Sequence, residues 1–156
     1  VRKVTGQKKR NYWEDFEVGD EWNTPGRTIT ESDVVGFAGL TGDFNPIHID
    51  KEYAKKTPFG QRLAHGLLVG CIGTGLTTSL PNFYEHVEYK VLTSVRLDFK
   101  APVVIGDTIR VQVKVAEKKE TKNAERGLIV FERTILNQEN ETVQILYHTY
   151  LFSRRP

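Results

Sequence analysis

From Gly66 to Leu80 the chain runs fifteen residues without a charged side chain. Wound as a helix, Leu67, Leu68, Val69, Cys71, Ile72 and Leu76 would ring the segment almost completely, which implies burial on most sides. At 1.5 Å per residue it spans roughly 22 Å, the width of a sheet able to wrap around it. Gly66, Gly70 and Gly73 fall at i, i+4 and i+7 and leave one stripe without side chains. Such a stripe suits a strand packed close against the helix. A phosphate loop at Gly70–Gly75 is the other use of such glycines, but the run lacks a P-loop lysine and the spacing of a dinucleotide fingerprint.

From residue 86 onward the pattern is β. Val95, Leu97 and Phe99 alternate with Arg96 and Asp98, and Ile109, Val111, Val113 and Val115 with Arg110, Gln112 and Lys114. Leu128–Leu136 and Thr142–Phe152 are two further strands, joined by the polar turn Gln138–Glu141. The charged stretch Lys118–Arg126 is expected to be a solvated loop tip. One buried helix followed by a long antiparallel meander is an α+β layout. Before the helix, Glu21–Thr28 reads as a short strand interrupted by Pro25-Gly26. Thr30-Glu31-Ser32-Asp33 has the form of a helix N-terminus, and Gly42 suits the end of that helix. Pro46 disfavours helix at Asn45, so Asp43 to Ile49 is expected to be a loop, after which Asp50 caps a short helix over Lys51–Lys56.

Composition narrows the function. The chain has 156 residues, one domain's worth, and its one cysteine, Cys71, excludes an internal disulfide framework and a Cys-rich zinc site. The net charge is +2, but residues 1–10 contribute +5, so the rest carries −3. The expected organisation is a basic flexible arm over 1–10 and one domain over 11–156. A basic tail on an acidic domain argues against nucleic acid as partner. There is no apolar signal segment and no stretch long enough to span a membrane, so a soluble, cytoplasmic protein is expected.

Thr41-Gly42-Asp43-Phe44-Asn45-Pro46-Ile47-His48 concentrates titratable groups in a turn-constrained segment. Asp43 and His48 could hold one water between a carboxylate and an imidazole, with Asn45 orienting either group. The same spacing also suits a turn-capping Asp43 and a half-buried structural His48. His65 precedes the helix, His86 follows it and His148 lies in the last strand; these are weaker candidates. A metal held by Asp43, His48 and His65 is chemically possible, but no His-x-x-x-His pair supports it and no metal is expected. Ser32, Ser79, Ser94 and Ser153 all lack a Gly-x-Ser-x-Gly context, against nucleophilic acyl chemistry.

The run Phe37-Ala38-Gly39-Leu40-Thr41-Gly42-Asp43-Phe44-Asn45-Pro46-Ile47-His48, followed after five residues by Ala54, resembles the signature of the MaoC-like dehydratases, the (R)-specific enoyl-CoA hydratases or hydratase 2. Arg62-Leu63-Ala64-His65-Gly66 resembles the family's second common segment, and the likeness extends over residues 12 to 153. It implies the hot-dog fold, a long helix wrapped by a curved antiparallel sheet. It implies that Asp43 and His48 bind and activate the catalytic water, that Asn45 supports their loop, and that the backbone N–H of Gly66 is the oxyanion hole for the thioester oxygen. The implied reaction adds water reversibly to a trans-2-enoyl-CoA to give a (3R)-hydroxyacyl-CoA. No cofactor is needed, coenzyme A being part of the acyl-CoA substrate, and the implied assembly is a homodimer or higher homo-oligomer. A hot-dog thioesterase would commonly carry a carboxylate near or on the helix, and Gly66–Leu80 has none. A non-catalytic acyl-thioester-binding subunit would be expected to have lost Asp43 or His48, and both are present.

Overall fold

The computed structural model describes residues 2–3, 12–81, 83 and 90–156. Strands β1 (Arg2–Lys3), β2 (Asp20–Asn23), β3 (Arg27–Thr28), β4 (Lys90–Phe99), β5 (Thr108–Glu120), β6 (Arg126–Leu136) and β7 (Thr142–Ser153) form one sheet. Its order is β1-β2-β5-β6-β7-β4, with β3 also paired to β5. The long strands β5, β6, β7 and β4 are antiparallel neighbours. Their register slips between Leu92 and Ser94, Val115 and Glu117, and Ile135 and Leu136. Such irregularities increase local twist and help a sheet to curl.

The helices are α1 (Glu31–Thr41), α2 (Pro46–Ile49), α3 (Lys51–Ala54) and α4 (Gly66–Thr78). Helix α4 crosses the inner face of the sheet, and its glycine stripe is what lets it. A Cβ on Gly73 would run into Ile135 of β6, while Gly70 lies against Gln144 and Leu146 of β7 and Leu97 of β4. The stripe expected from spacing is therefore a helix–sheet contact, and the Gly70–Gly75 run lies inside the helix. At the far end of the sheet Phe16, Trp22, Phe83, Phe131 and Phe152 pack as one aromatic cluster, with Phe131 edge-on to Phe16 at 5.6 Å and to Phe83 at 5.2 Å between ring centroids.

Three expectations change. Asp43–Ile49 is not all loop: Pro46 opens α2, because proline suits the first helical position, and the Asn45 side chain caps it by accepting from the Ile47 N–H. Strand β5 runs on to Glu120, through part of the expected loop tip; the Lys118 ammonium donates to the Phe16 carbonyl at 2.6 Å and lies over the Trp13 ring. Helix α4 is not buried on most sides, since Leu67 is 61% exposed and Cys71 is also open. Edge strand β4 does not cover that face, and Val91, Leu92, Val95 and Phe99 are exposed as well. In the basic arm, Arg2–Lys3 pairs in parallel with Asp20–Glu21; the rest of the arm, and His86, lie outside the described residues. Among the described residues no helix is long and apolar enough to cross a membrane.

Candidate active site

A chain of local hydrogen bonds shapes the segment after α1. The Thr30 side chain accepts from the Asp33 N–H and the Asp33 carboxylate accepts from the Thr30 N–H, the expected capping box. The helix ends at Gly42 with φ of 79°, a left-handed conformation that favours glycine. The Thr41 hydroxyl donates to the Phe37 carbonyl and accepts from the Asp43 N–H at 3.2 Å. The Asp43 carboxylate accepts from the Asn45 N–H, and the Asn45 side-chain oxygen accepts from the Ile47 N–H, each at 3.3 Å. Asn45 thus takes part in the loop through its backbone N–H and its side-chain cap on α2.

Leu63 joins this segment to the cavity wall. Its N–H donates to the Ile47 carbonyl, and its carbonyl lies 2.8 Å from His48 Nδ1. A carbonyl only accepts, so His48 Nδ1 carries the hydrogen and a neutral ring leaves Nε2 as a lone pair. His65, 2% exposed, holds the other side: its Nε2 donates 3.0 Å to the Asp43 carbonyl. The His65 ring stacks on His48 with centroids 3.8 Å apart and an interplanar angle of 27°, and Phe37 packs against it at 5.0 Å. Among the described residues the buried His65 Nδ1 has no hydrogen-bond partner. Arg62, three residues before His65, bonds Glu31 at 2.6 Å, tying this stretch to the start of α1 and holding the Glu31 carboxyl below its ordinary range.

The structure therefore brings Asp43 and His48 together, and adds His65, one ligand atom from each lying within 4.8 Å of the others. The stacking opposes a shared cation, because face-to-face imidazoles hold their in-plane lone pairs in nearly parallel planes.

Beside the pair lies a cavity of about 420 Å³. His48 and Gly66 share its wall, Ala64, Val69, Val103 and Gln144 form its buried part, and Phe59, Phe99 and Lys100 stand at its exposed mouth. Gly66 is the first residue of α4, whose N-cap His65 makes no side-chain cap and whose first turn holds no acid. The first turn of a helix has backbone N–H groups without intrahelical partners and a partial positive charge, and Gly66, which begins that turn, lines the cavity. Sequence reasoning missed Phe99, Lys100 and Gln144 and gave His65 little weight. His65 was within reach, since it stands beside Gly66 in the second quoted segment.

A model of the MaoC-like domain matches residues 15–134. The chain belongs to the MaoC-like dehydratase family. A 3-hydroxybutyryl-CoA dehydratase from Methylorubrum extorquens is 49% identical over 107 residues, 68% of this chain and 64% of that protein. The match thus spans a little under two thirds of that relative. An (R)-specific enoyl-CoA hydratase from Rhodospirillum rubrum is 42% identical over 106 residues, 67% of this chain and 69% of its own. Among solved structures, a monoamine oxidase regulatory protein from Archaeoglobus fulgius superposes with a TM-score of 0.89 at 32% identity, covering 96% of this chain and 99% of that one. A double-hot-dog protein from Mycobacterium tuberculosis, 20% identical, superposes with a TM-score of 0.75 over 93% of this chain and 44% of that one, which bears on the fold alone. The MaoC-like domain here is a hot-dog, as its signature implied, and its family's chemistry is hydration and dehydration.

Proposed function

We propose that this MaoC-like domain hydrates trans-2-enoyl-CoA thioesters to (3R)-hydroxyacyl-CoA and catalyses the reverse dehydration. The observation that carries the reading is the His48 ring, held at Nδ1 by the Leu63 carbonyl with a ring nitrogen within 4.8 Å of the Asp43 carboxylate, on the wall of a cavity that Gly66 also lines. In hydration, Asp43 and His48 hold a water above C3 of the enoyl group. Its oxygen bonds to C3, the double-bond electrons move toward the thioester, and the Gly66 N–H holds the resulting enolate oxygen. The Asp43–His48 pair takes the proton that the water loses as its oxygen bonds to C3 and delivers a proton to C2, so the pair ends in its starting state. The dyad acts as one coupled unit. Addition is syn and to a single face, since Gly66 fixes the carbonyl and the loop fixes the water.

The working form we infer is a homodimer. Edge strand β4 lies unpaired on its outer side among the described strands, Val95 and Phe99 are 51% and 60% exposed, and Leu67 of α4 is as open. A second copy presenting the same edge and helix face would cover them. Light scattering at micromolar concentration should give a dimer mass or larger; a fully active monomer would remove this part.

Loss of enoyl-thioester absorbance with crotonyl-CoA, followed by chiral analysis of the product, tests the reaction. Turnover to the (3R) product is expected. Efficient coupling to an (S)-specific 3-hydroxyacyl-CoA dehydrogenase would overturn the assignment.

A further inference from the structure

The cavity wall contains a carboxamide that this chemistry leaves unused. Gln144 of β7 is 2% exposed, and its Nε2 donates 2.8 Å to the Gly66 carbonyl. A carbonyl only accepts, so the amide cannot be turned round. Oε1 is then left buried without a donor among the described residues, against Gly70, where a Cβ would stand 3.3 Å away. The desolvation cost of a buried acceptor without a partner offsets much of what the single hydrogen bond to Gly66 contributes, so stability alone does not account for the carboxamide. The placement of Gln144 needs a different reason.

Register supplies it. Gln144 pairs across the sheet with Phe99 of β4, whose ring occupies the space where a Gly66 Cβ would be. One rung of the β4–β7 ladder therefore grips Gly66 twice, by an aromatic face on its Cα and by a carboxamide on its carbonyl. We propose that Gln144 is a positioning residue, which with Phe99 fixes Gly66 so that its N–H stays aimed at the thioester oxygen as charge develops there. The proposal rests on the reading of Gly66 as the oxyanion donor. A preorganised donor is worth most in the transition state, and a misplacement of order 1 Å can cost about a hundredfold in rate.

The test is Gln144→Met, which removes donor and orphan acceptor together while keeping the shape. With crotonyl-CoA, kcat should fall roughly tenfold to a hundredfold. Affinity for the saturated analogue butyryl-CoA should stay within about threefold, because the contact is far weaker to a neutral ground-state carbonyl than to the charge that develops on it in the transition state. The urea midpoint should hold or rise. Gln144→Asn, one methylene too short to reach Gly66, should lose kcat in the same way and decides the matter if the Met variant fails to fold. Unchanged kcat in the folded variants, or a kcat loss matched by equally weakened butyryl-CoA binding, overturns the positioning role. If the unmodified protein does not hydrate crotonyl-CoA, the site reading falls and takes the proposal with it. An active parent with an indifferent variant removes the proposal alone.

Discussion

Strands β6 and β4 lie in one sheet, separated by β7, yet they are built to opposite ends. Along β6 buried and partly buried residues alternate from Arg126 to Ile135, as one face packs on the core. Along β4, all of Val91–Arg96 and Phe99 are exposed. Near β6 the space is filled by Phe16, Phe83, Phe131 and Phe152 in tilted and edge-to-face contact. Near β4 it is a cavity, an imidazole, an uncapped helix end and exposed apolar side chains. Folding energy is thus concentrated at the end where no chemistry is proposed. The other end is left incomplete, and substrate and a second copy are what would complete it.

Disrupting the closed end should give the largest effect. Phe131→Ala removes a fully buried ring at the centre of the aromatic cluster and should cost about 3–5 kcal/mol, read as a shift in urea denaturation. Turnover per folded molecule should barely change. A large loss of kcat in the folded fraction would mean that the two ends are coupled and the comparison wrong.

The reverse dissociation is expected at the open end. Asp43→Asn and His48→Gln should each slow hydration by roughly a hundredfold or more, the scale of a lost acid–base group. Stability should hardly move, since Asp43 is exposed and the His48–Leu63 hydrogen bond is only part-buried. Because the two groups share one water, the double variant should be little worse than the worse single one. Independent, multiplying losses in stopped-flow assays would count against a joint water site.

The two ends also differed in how far they could be read from the sequence. The Thr30–Asp33 cap, the Gly42 helix end and the glycine stripe are local signals, and each appears where spacing placed it. The conjunction of Asp43 and His48 was legible because only four residues, Asn45-Pro46 among them, separate the two. Gln144 and Phe99 were not legible. Residues 142–152 carry apolar side chains on both faces, so alternation does not reveal which face meets α4, and the contact to Gly66 closes over 78 residues. The exposure of α4 was misread for a related reason: an apolar helix surface does not say whether its own sheet or another copy covers it.

The smallest predicted effect falls on the brace beneath the site loop, and pH separates it from the other two. Burial pushes the Asp33 carboxyl up, but the Thr30 N–H, the Thr30 hydroxyl and Arg27 together outweigh it and hold Asp33 below its ordinary 3.8. The Arg27 pair is 2.6 Å long, with side chains 42% and 16% exposed, so solvent screens much of its worth. Asp33→Asn keeps an acceptor for the Thr30 N–H but loses the charge, and should cost about 1 kcal/mol near neutral pH, the scale of a helix cap. A carboxyl whose pKa is lower folded than unfolded contributes stability that is complete above the unfolded value and lost as pH falls through the folded one. The gap between parent and Asp33→Asn should therefore be constant from neutrality down to about pH 5 and shrink below about pH 4. Phe131→Ala has no such titration, and its deficit should persist across the same range. An Asp33→Asn gap that stays open in acid would assign the loss to packing at the head of α1, and the brace would then belong with the closed end of the molecule.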